Sequence, residues 1–275
     1  MPSPVQNDSP STSAPLPDFL TVAAIGLTVA VCGAIIHEAI GHGGACLLSG
    51  GRPLAVSSVM FECAGEGRFV QAGGTIANLL AGIIFWLAMR CAKRSTLWRY
   101  FFWLSMTINF YVAGGYFLFS GVANIGDWAA FIQGLSPSWL WHAGLTILGV
   151  LSYSFFMWIS LREMQPLLGR DRAERLRRAR RLTLVPYFAD GILSCVAGLF
   201  NPVGMVLVAI SAAAASFGGA SGLAWMDEWL KGPLIPISEF QMPPFQRSRA
   251  WIVAAGVLAV AFIVIFGPGL KFQPR

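Results

Sequence analysis

The chain has 275 residues, of which 56% are hydrophobic and only 12% charged, and its formal net charge is +6 at neutral pH. Because an ordinary globular domain is about 25% charged, this composition excludes a soluble globular protein, a disordered chain and a collagen-like chain, and it indicates a membrane protein. The positive excess lies in residues 162–181, where eight arginines stand between apolar stretches, a pattern typical of a cytoplasmic loop and not of a nucleic-acid-binding surface.

The N-terminal segment differs in composition from the rest of the chain. It contains five prolines and four serines but no lysine or arginine. This composition predicts a disordered tail over residues 1–18 and not the basic start of a secretory signal.

Long stretches without Asp, Glu, Lys or Arg follow the tail. Each is about as long as, or longer than, the 20 or so apolar residues that a helix needs to cross the hydrocarbon layer. One of them, extended back to Leu182, is long enough for two helices that separate at Asn201-Pro202. We therefore predict an all-α polytopic membrane protein with about seven transmembrane helices. The stretches are Phe19–Ile36, Phe69–Met89, Tyr100–Gly126, Trp128–Leu161, Gly191–Met226 and Ala250–Leu270.

The first predicted helix ends in three ionisable residues, His37, Glu38 and His42. Ionisable groups at membrane depth are costly and mark a site by default. In a His-Glu-x-x-His helix both imidazoles meet one zinc ion, and the glutamate activates the bound water. Here the histidines are five residues apart, which places them about 140° apart on an ideal α-helix.

This spacing leaves three interpretations open. A single-turn π-bulge, or unwinding at Gly41, would bring both imidazoles to one ion. Without it, Glu38, His42 and Cys46 form a stripe at four-residue spacing that could bind a metal through other ligands. The third interpretation is a polar helix end that binds no metal.

Residues 51–72 do not form a span. Two β-prone runs, Val56–Glu62 and Arg68–Gln71, flank the turn-rich segment Ala64–Gly67. This pattern predicts a short β-hairpin between the first two helices.

The five cysteines contain no CxxC pair. They therefore predict neither a zinc ribbon nor a disulfide framework. We expect most of them to be small buried hydrophobic residues.

Lys and Arg residues concentrate in the connections after the second, fourth and sixth predicted helices. The positive-inside rule then places the N-terminal tail in the cytoplasm. In this orientation the end of the first helix, the start of the second and the end of the third meet near the outer face. Their polar residues, among them Asn78 and Asp127, are thus predicted to approach the two histidines.

Other polar residues have simpler interpretations. Asp190 competes with Asp127 as a metal ligand, but it follows the Arg-rich segment at the opposite face, where it is expected to pair with Arg181 or to be hydrated. His142 is expected to be an interfacial histidine beside two tryptophans. Asn109 is expected to form a hydrogen bond to a neighbouring helix.

The His-Glu pair near the end of one helix, the Gly-x-x-x-Asn motif that opens the next and Gly126-Asp127 after the third together resemble the site-2 protease family of intramembrane zinc metalloproteases. The resemblance covers about residues 30–130. It implies a catalytic three-helix core over residues 19–130, with accessory helices over residues 131–275. The residue roles that it implies are zinc ligands at His37, His42 and Asp127, a general base at Glu38, and a group at Asn78 that positions substrate or supports the oxyanion.

The resemblance also implies a function. It predicts a Zn²⁺-dependent hydrolase that cleaves peptide bonds of membrane-embedded proteins or peptides, with its hairpin pairing with the substrate. We expect the protein to be an integral protein of the bacterial inner (plasma) membrane. Two alternatives stay open: a zinc-dependent lipid hydrolase, and a non-catalytic membrane protein that binds a metal or a partner. No nucleic-acid partner is expected, and the sequence leaves the oligomeric state open.

Overall fold

The computed structural model describes residues 15–65, 67–92, 95–202, 208–232 and 236–272. Within these ranges the chain is mostly helical, and six helices are long enough and apolar enough to cross a membrane. A small three-stranded sheet accompanies them. A helix satisfies all its backbone hydrogen bonds internally, which is why apolar stretches of this length fold as helices.

The elements follow the chain in a simple order. The α-helices are α1 Phe19–Ala34, α2 Gly43–Leu48, α3 Arg68–Cys91, α4 Thr96–Ala123, α5 Asp127–Ile132, α6 Ser138–Met164, α7 Arg172–Leu199, α8 Gly222–Trp229 and α9 Arg249–Ala261. The π-helical segments are Ile35–His42, Val208–Gly219 and Phe262–Phe266, and a 3₁₀ turn covers Gln165–Leu167. The strands are β1 Arg52–Val56, β2 Phe61–Ala64 and β3 Leu270–Lys271.

Helix α4 lies at the centre of the packing. It contacts α3 on one side and α6 on another, while α1 packs against α7 and α9. Large side chains from α4, including Tyr100, Trp103 and Tyr111, are fully buried in the main hydrophobic core. This packing brings the first π-helical segment against α3.

The sequence predicts about seven transmembrane helices, whereas the described residues contain six. The first of these runs without interruption from Phe19 to Leu48. The predicted sixth span, after Asn201-Pro202, falls partly on residues 203–207, which lie outside the described residues. Its described part is the π-helical segment Val208–Gly219, which is followed by the short helix α8.

The Arg-rich segment 162–181 is mostly helical and not a loop. Helix α6 continues to Met164, and α7 already begins at Arg172, where Asp171 caps it by accepting a hydrogen bond from the Glu174 backbone N–H. Arginine is a good helix former, so a run rich in it extends a helix beyond the apolar stretch.

Most of the predicted tail, residues 1–14, lies outside the described residues. The end of the tail is held by α7, because Arg178 and Arg181 donate hydrogen bonds to the carbonyls of Pro15 and Pro17.

The predicted β-hairpin is present, but its residues were assigned incorrectly. Strand β1 pairs antiparallel with β2, with Val56 opposite Phe61, and the turn lies at residues 57–60. The run Arg68–Gln71 opens α3 instead of forming the second strand. Strand β3 pairs with the other edge of β1, so that the sheet order is β2-β1-β3.

The sequence predicted no disulfide framework, but one pair of cysteines is bonded. Cys46 at the end of the first long helix and Cys63 in β2 form a disulfide. Both residues are buried, and they form a small hydrophobic cluster with Val70. The disulfide therefore ties the hairpin to the helix that carries the two predicted histidine ligands.

Candidate metal centre

The π-helical segment Ile35–His42 resolves the unusual histidine spacing. A π-helix closes its hydrogen bonds over five residues where an α-helix closes them over four, so residues five apart share a face. The Nε2 atoms of His37 and His42 accordingly lie 3.3 Å apart. The π-helical geometry of this interpretation is confirmed, whereas metal binding stays a prediction. The alternative stripe that included Cys46 is wrong, because this cysteine is in a disulfide.

A tight turn after α4 places Asp127 beside the histidines. Asn124 adopts a left-handed conformation, and Gly126 has a φ of 92°, a value that residues with a side chain rarely adopt. Helix α5 then starts at Asp127. The next residue fixes this start, because Trp128 Nε1 donates a hydrogen bond to Thr75 Oγ1 in α3 at 2.9 Å.

Three potential ligand atoms form a nearly equilateral triangle. Asp127 Oδ2 lies 3.1 Å from His37 Nε2 and 3.3 Å from His42 Nε2, and the two nitrogens are 3.3 Å apart. Ligands about 2.0–2.1 Å from a tetrahedral zinc ion are about 3.3 Å from one another. The triangle therefore has the size of one face of a zinc coordination tetrahedron, and a buried group that could hold a metal ion is present where the sequence predicts it.

Both imidazole rings are held from behind through Nδ1. His42 Nδ1 lies 2.8 Å from the carbonyl oxygen of Val70, and His37 Nδ1 lies 2.6 Å from Asn78 Oδ1. A carbonyl oxygen only accepts hydrogen bonds, so each Nδ1 donates one. In a neutral ring the Nε2 lone pair then faces the triangle. Metal-binding histidines are typically oriented by such partners.

The electrostatics of the group favour a cation. The side chains of His37, Glu38 and His42 are all buried. Burial by itself would raise the pKa of Asp127, but hydrogen bonds and charge interactions with the two histidines hold this pKa below its ordinary range. If both imidazoles are neutral, the lone pairs of two Nε2 atoms and a carboxylate oxygen face one another. This arrangement requires a positive charge among them, either protons on the rings or a metal ion.

Gly74 in α3 leaves the space in which the imidazoles meet. A Cβ atom at this position would lie 2.5 Å from His37 Cε1, 2.6 Å from His37 Nε2 and 2.7 Å from His42 Nε2. Gly41 makes a similar close approach, because a Cβ atom there would lie 2.6 Å from Gly74 Cα. The glycines thus allow α3 to contact the π-helical segment where the ligand atoms converge.

Replacing Gly74 by alanine is expected to weaken the affinity of the triangle for a metal ion by about tenfold or more, because the added methyl group displaces both rings. Gly44→Ala is the matched control, since a Cβ atom at Gly44 meets no atom of the other described residues within 4 Å beyond its own stretch of helix. Zinc affinity is measured by competition with a chromophoric chelator, and far-UV circular dichroism checks the helix content. Wild-type affinity in a folded Gly74→Ala protein would show that the space beside Gly74 is not needed for metal binding.

Two further side chains complete the surroundings of the triangle. Glu38 interacts electrostatically with both histidines and with Asp127. The Tyr116 ring stacks on the His37 ring, with their centroids 4.7 Å apart and their planes 20° apart. The sequence did not indicate a role for Tyr116 or the anchoring role of Trp128. Aromatic residues within or next to an apolar helix look like ordinary packing residues in a sequence.

Asn78 lies behind His37 and not at the open side of the site. It is 1% exposed, its Oδ1 is engaged by His37, and its Nδ2 donates to Asn109 Oδ1 at 2.8 Å. One N–H of the Asn78 amide is thus used by Asn109, and the predicted role of Asn78 towards a substrate or an oxyanion stays a prediction. The same contact confirms the expected hydrogen bond between Asn109 and a neighbouring helix, in which Asn109 is the acceptor.

The competing residues are elsewhere. Asp190 accepts a hydrogen bond from Ser194 Oγ at 3.3 Å and is not part of the His37, His42 and Asp127 group. Its expected partner Arg181 donates to a backbone carbonyl of the N-terminal segment instead. His142 Nδ1 lies 3.2 Å from the carbonyl oxygen of Gly121, outside that group.

Comparison with known proteins identifies no relative of this chain. No family model, no curated protein and no solved structure matches this chain. Its function must therefore be inferred from the chemistry of the site.

Proposed function

We propose that the chain is an intramembrane zinc metalloprotease of the site-2 protease type, which hydrolyses peptide bonds in membrane-embedded proteins or peptides. The observation that carries this proposal is the triangle of His37 Nε2, His42 Nε2 and Asp127 Oδ2, with Glu38 buried beside it. Two imidazoles and a carboxylate form a donor set that suits zinc, and catalytic zinc sites have three protein ligands and an adjacent base.

His37, His42 and Asp127 would hold the ion. A bound zinc ion supplies Lewis acidity, which polarises a carbonyl group and makes water acidic near neutral pH. Asp127 has the most exposed side chain of the three, at 18%. Water and substrate therefore approach from the side of α5.

Glu38 is the proton carrier of the proposed reaction. Its carboxylate accepts a proton from water as the water oxygen bonds to the peptide carbonyl carbon. The same proton then passes to the amide nitrogen as the C–N bond breaks. Because a helical peptide has its carbonyls engaged, the substrate unwinds locally before it reacts.

We infer that the apolar helices lie in a bacterial inner (plasma) membrane, with the site towards the outer face. The Lys and Arg distribution supports this orientation. The Cys46–Cys63 disulfide supports it independently, because it lies at the same end of the helices and disulfides persist in oxidising compartments. His42 is six residues from the end of its helix at Leu48, which is about 9 Å along the axis.

The test uses purified full-length protein in lipid nanodiscs with a single-span peptide that carries a fluorophore and a quencher on either side of its outer half. We expect cleavage that 1,10-phenanthroline abolishes and added zinc restores. A parallel assay uses a fluorogenic phospholipid ester. Ester cleavage without peptide cleavage would support the lipid hydrolase instead, and zinc binding without either reaction would support a non-catalytic protein.

A further inference from the structure

A buried chain of hydrogen bonds leads from His37 to the backbone of α4. Asn109 Nδ2 donates to the carbonyl oxygen of Ser105 at 2.8 Å, Asn78 Nδ2 donates to Asn109 Oδ1 at 2.8 Å, and His37 Nδ1 lies 2.6 Å from Asn78 Oδ1. Asn78 and Asn109 are each 1% exposed. Water therefore does not compete for these groups, and each polar atom must use the partner that the fold provides.

The direction of this chain is set at its far end. The Ser105 carbonyl oxygen can only accept, so Asn109 must present its NH₂ group to it and its oxygen to Asn78. Asn78 must then present its NH₂ group to Asn109 and its oxygen to His37. An oxygen acceptor at this position requires a proton on His37 Nδ1, which leaves Nε2 as the metal-binding atom.

Asn78 cannot determine this direction alone. Rotation of its side-chain amide by 180° exchanges the oxygen and the nitrogen, which would place a donor against His37 Nδ1 and move the ring proton to Nε2. His42 has no such ambiguity, because its Nδ1 partner is the backbone carbonyl of Val70. His37 is thus the ligand whose tautomer depends on a side-chain relay.

We propose that Asn109 is a positioning residue that fixes the tautomer of His37 through Asn78, although it touches neither the triangle nor a substrate. This inference rests on the proposed metal centre for its functional meaning. It differs from a packing role for Asn109, because packing would affect stability without determining which ring nitrogen carries the proton.

The test compares three variants in full-length protein. Asn109→Leu removes the acceptor for Asn78, whereas the carboxyl group of Asn109→Asp, protonated at this buried position, keeps an oxygen towards Asn78 and an O–H donor towards the Ser105 carbonyl. Thr107→Val is the matched control, since Thr107 is fully buried on the same helix and its hydroxyl has no hydrogen-bond partner among the described residues. The readouts are Co²⁺ affinity from the visible absorption of the bound ion, and ¹⁵N–¹H spectra of protein labelled at its three histidines.

We expect Asn109→Leu to weaken Co²⁺ binding by about 10- to 100-fold and to lose the His37 Nδ1–H signal. Asn109→Asp and Thr107→Val should stay close to wild type in both readouts. Equal affinity of wild type and Asn109→Leu, or an equal loss in Asn109→Asp or Thr107→Val, would overturn the proposal.

The ring spectrum keeps the test decisive in two other cases. If Asn109→Leu does not fold, the spectrum of the wild-type protein still decides. A His37 ring without a proton on Nδ1 overturns the relay. A His37 ring with a proton on Nδ1, together with an unchanged spectrum of Asn109→Asp, supports it. If the wild type takes up no metal, the proposed function fails, while the spectra of metal-free protein continue to test the relay.

Discussion

Replacing Glu38 by glutamine is expected to lower the rate of peptide hydrolysis by about 10² to 10⁴-fold while leaving the zinc content unchanged. Glutamine has nearly the same size as glutamate, so the packing around this buried position is preserved. Its amide cannot accept the proton of water, however, and the proposed reaction needs that acceptor. Turnover of the quenched single-span peptide gives the rate, and elemental analysis gives the zinc content.

Glu62→Gln provides the control for this variant. Glu62 is exposed in β2, at the same end of the helices as the site. The control should therefore keep both zinc and activity. Hydrolysis by Glu38→Gln at the wild-type rate would show that another group is the base, and loss of zinc in this variant would indicate that Glu38 is itself a ligand.

Replacing Asp127 by alanine is expected to weaken zinc binding by roughly 10²-fold or more, since about 10–16 kcal/mol of binding free energy divided over four ligands is about 3 kcal/mol for each. The variant also removes the negative charge that both imidazoles contact at 3.1 and 3.3 Å. Isothermal titration of metal-free protein with zinc, in a buffer with a competing chelator, measures the change.

Asp190→Asn distinguishes the two candidate carboxylates. Asp190 is buried in α7 and bonds Ser194, so its amide variant should bind zinc as the wild type does. If Asp190→Asn loses zinc and Asp127→Ala keeps it, the third ligand has been assigned to the wrong residue.

The sequence was sufficient to predict the three segments that build the site. An α-helix would point the two histidine rings apart, so a π-bulge or unwinding at Gly41 was one of the interpretations left open, and the structure has a π-helix at that place. The distribution of Lys and Arg predicted that Asp127 would meet the histidines. These inferences depend on helical geometry and on charge in the loops, both of which are visible locally in a sequence.

The hairpin shows where local patterns were insufficient. The run Arg68–Gln71 is β-prone, yet it belongs to α3, because β-propensity is weak and depends on the surroundings. The true turn follows Ser57, whose Oγ accepts a hydrogen bond from the Met60 backbone N–H at 3.2 Å. Serine side chains favour such turns, so the Ser57-Ser58 pair indicates a turn at this place in the sequence.

Partners that are distant in the chain could not be predicted. Asn78 contacts His37 and Asn109, which are 41 and 31 residues away, and its role behind the ligand depends on both contacts. The Cys46–Cys63 disulfide likewise depends on how the hairpin folds onto the helix end. Residue type and spacing do not determine such pairings, because these follow from how the elements pack.

X-ray absorption at the zinc K-edge of purified protein incubated with zinc tests the metal centre most directly. We predict one zinc ion per chain, with two imidazole nitrogens and carboxylate or water oxygens at about 2.0–2.1 Å and no sulfur ligand. A folded protein that binds no zinc, or one whose zinc has a sulfur ligand at about 2.3 Å, would contradict a centre built from His37, His42 and Asp127.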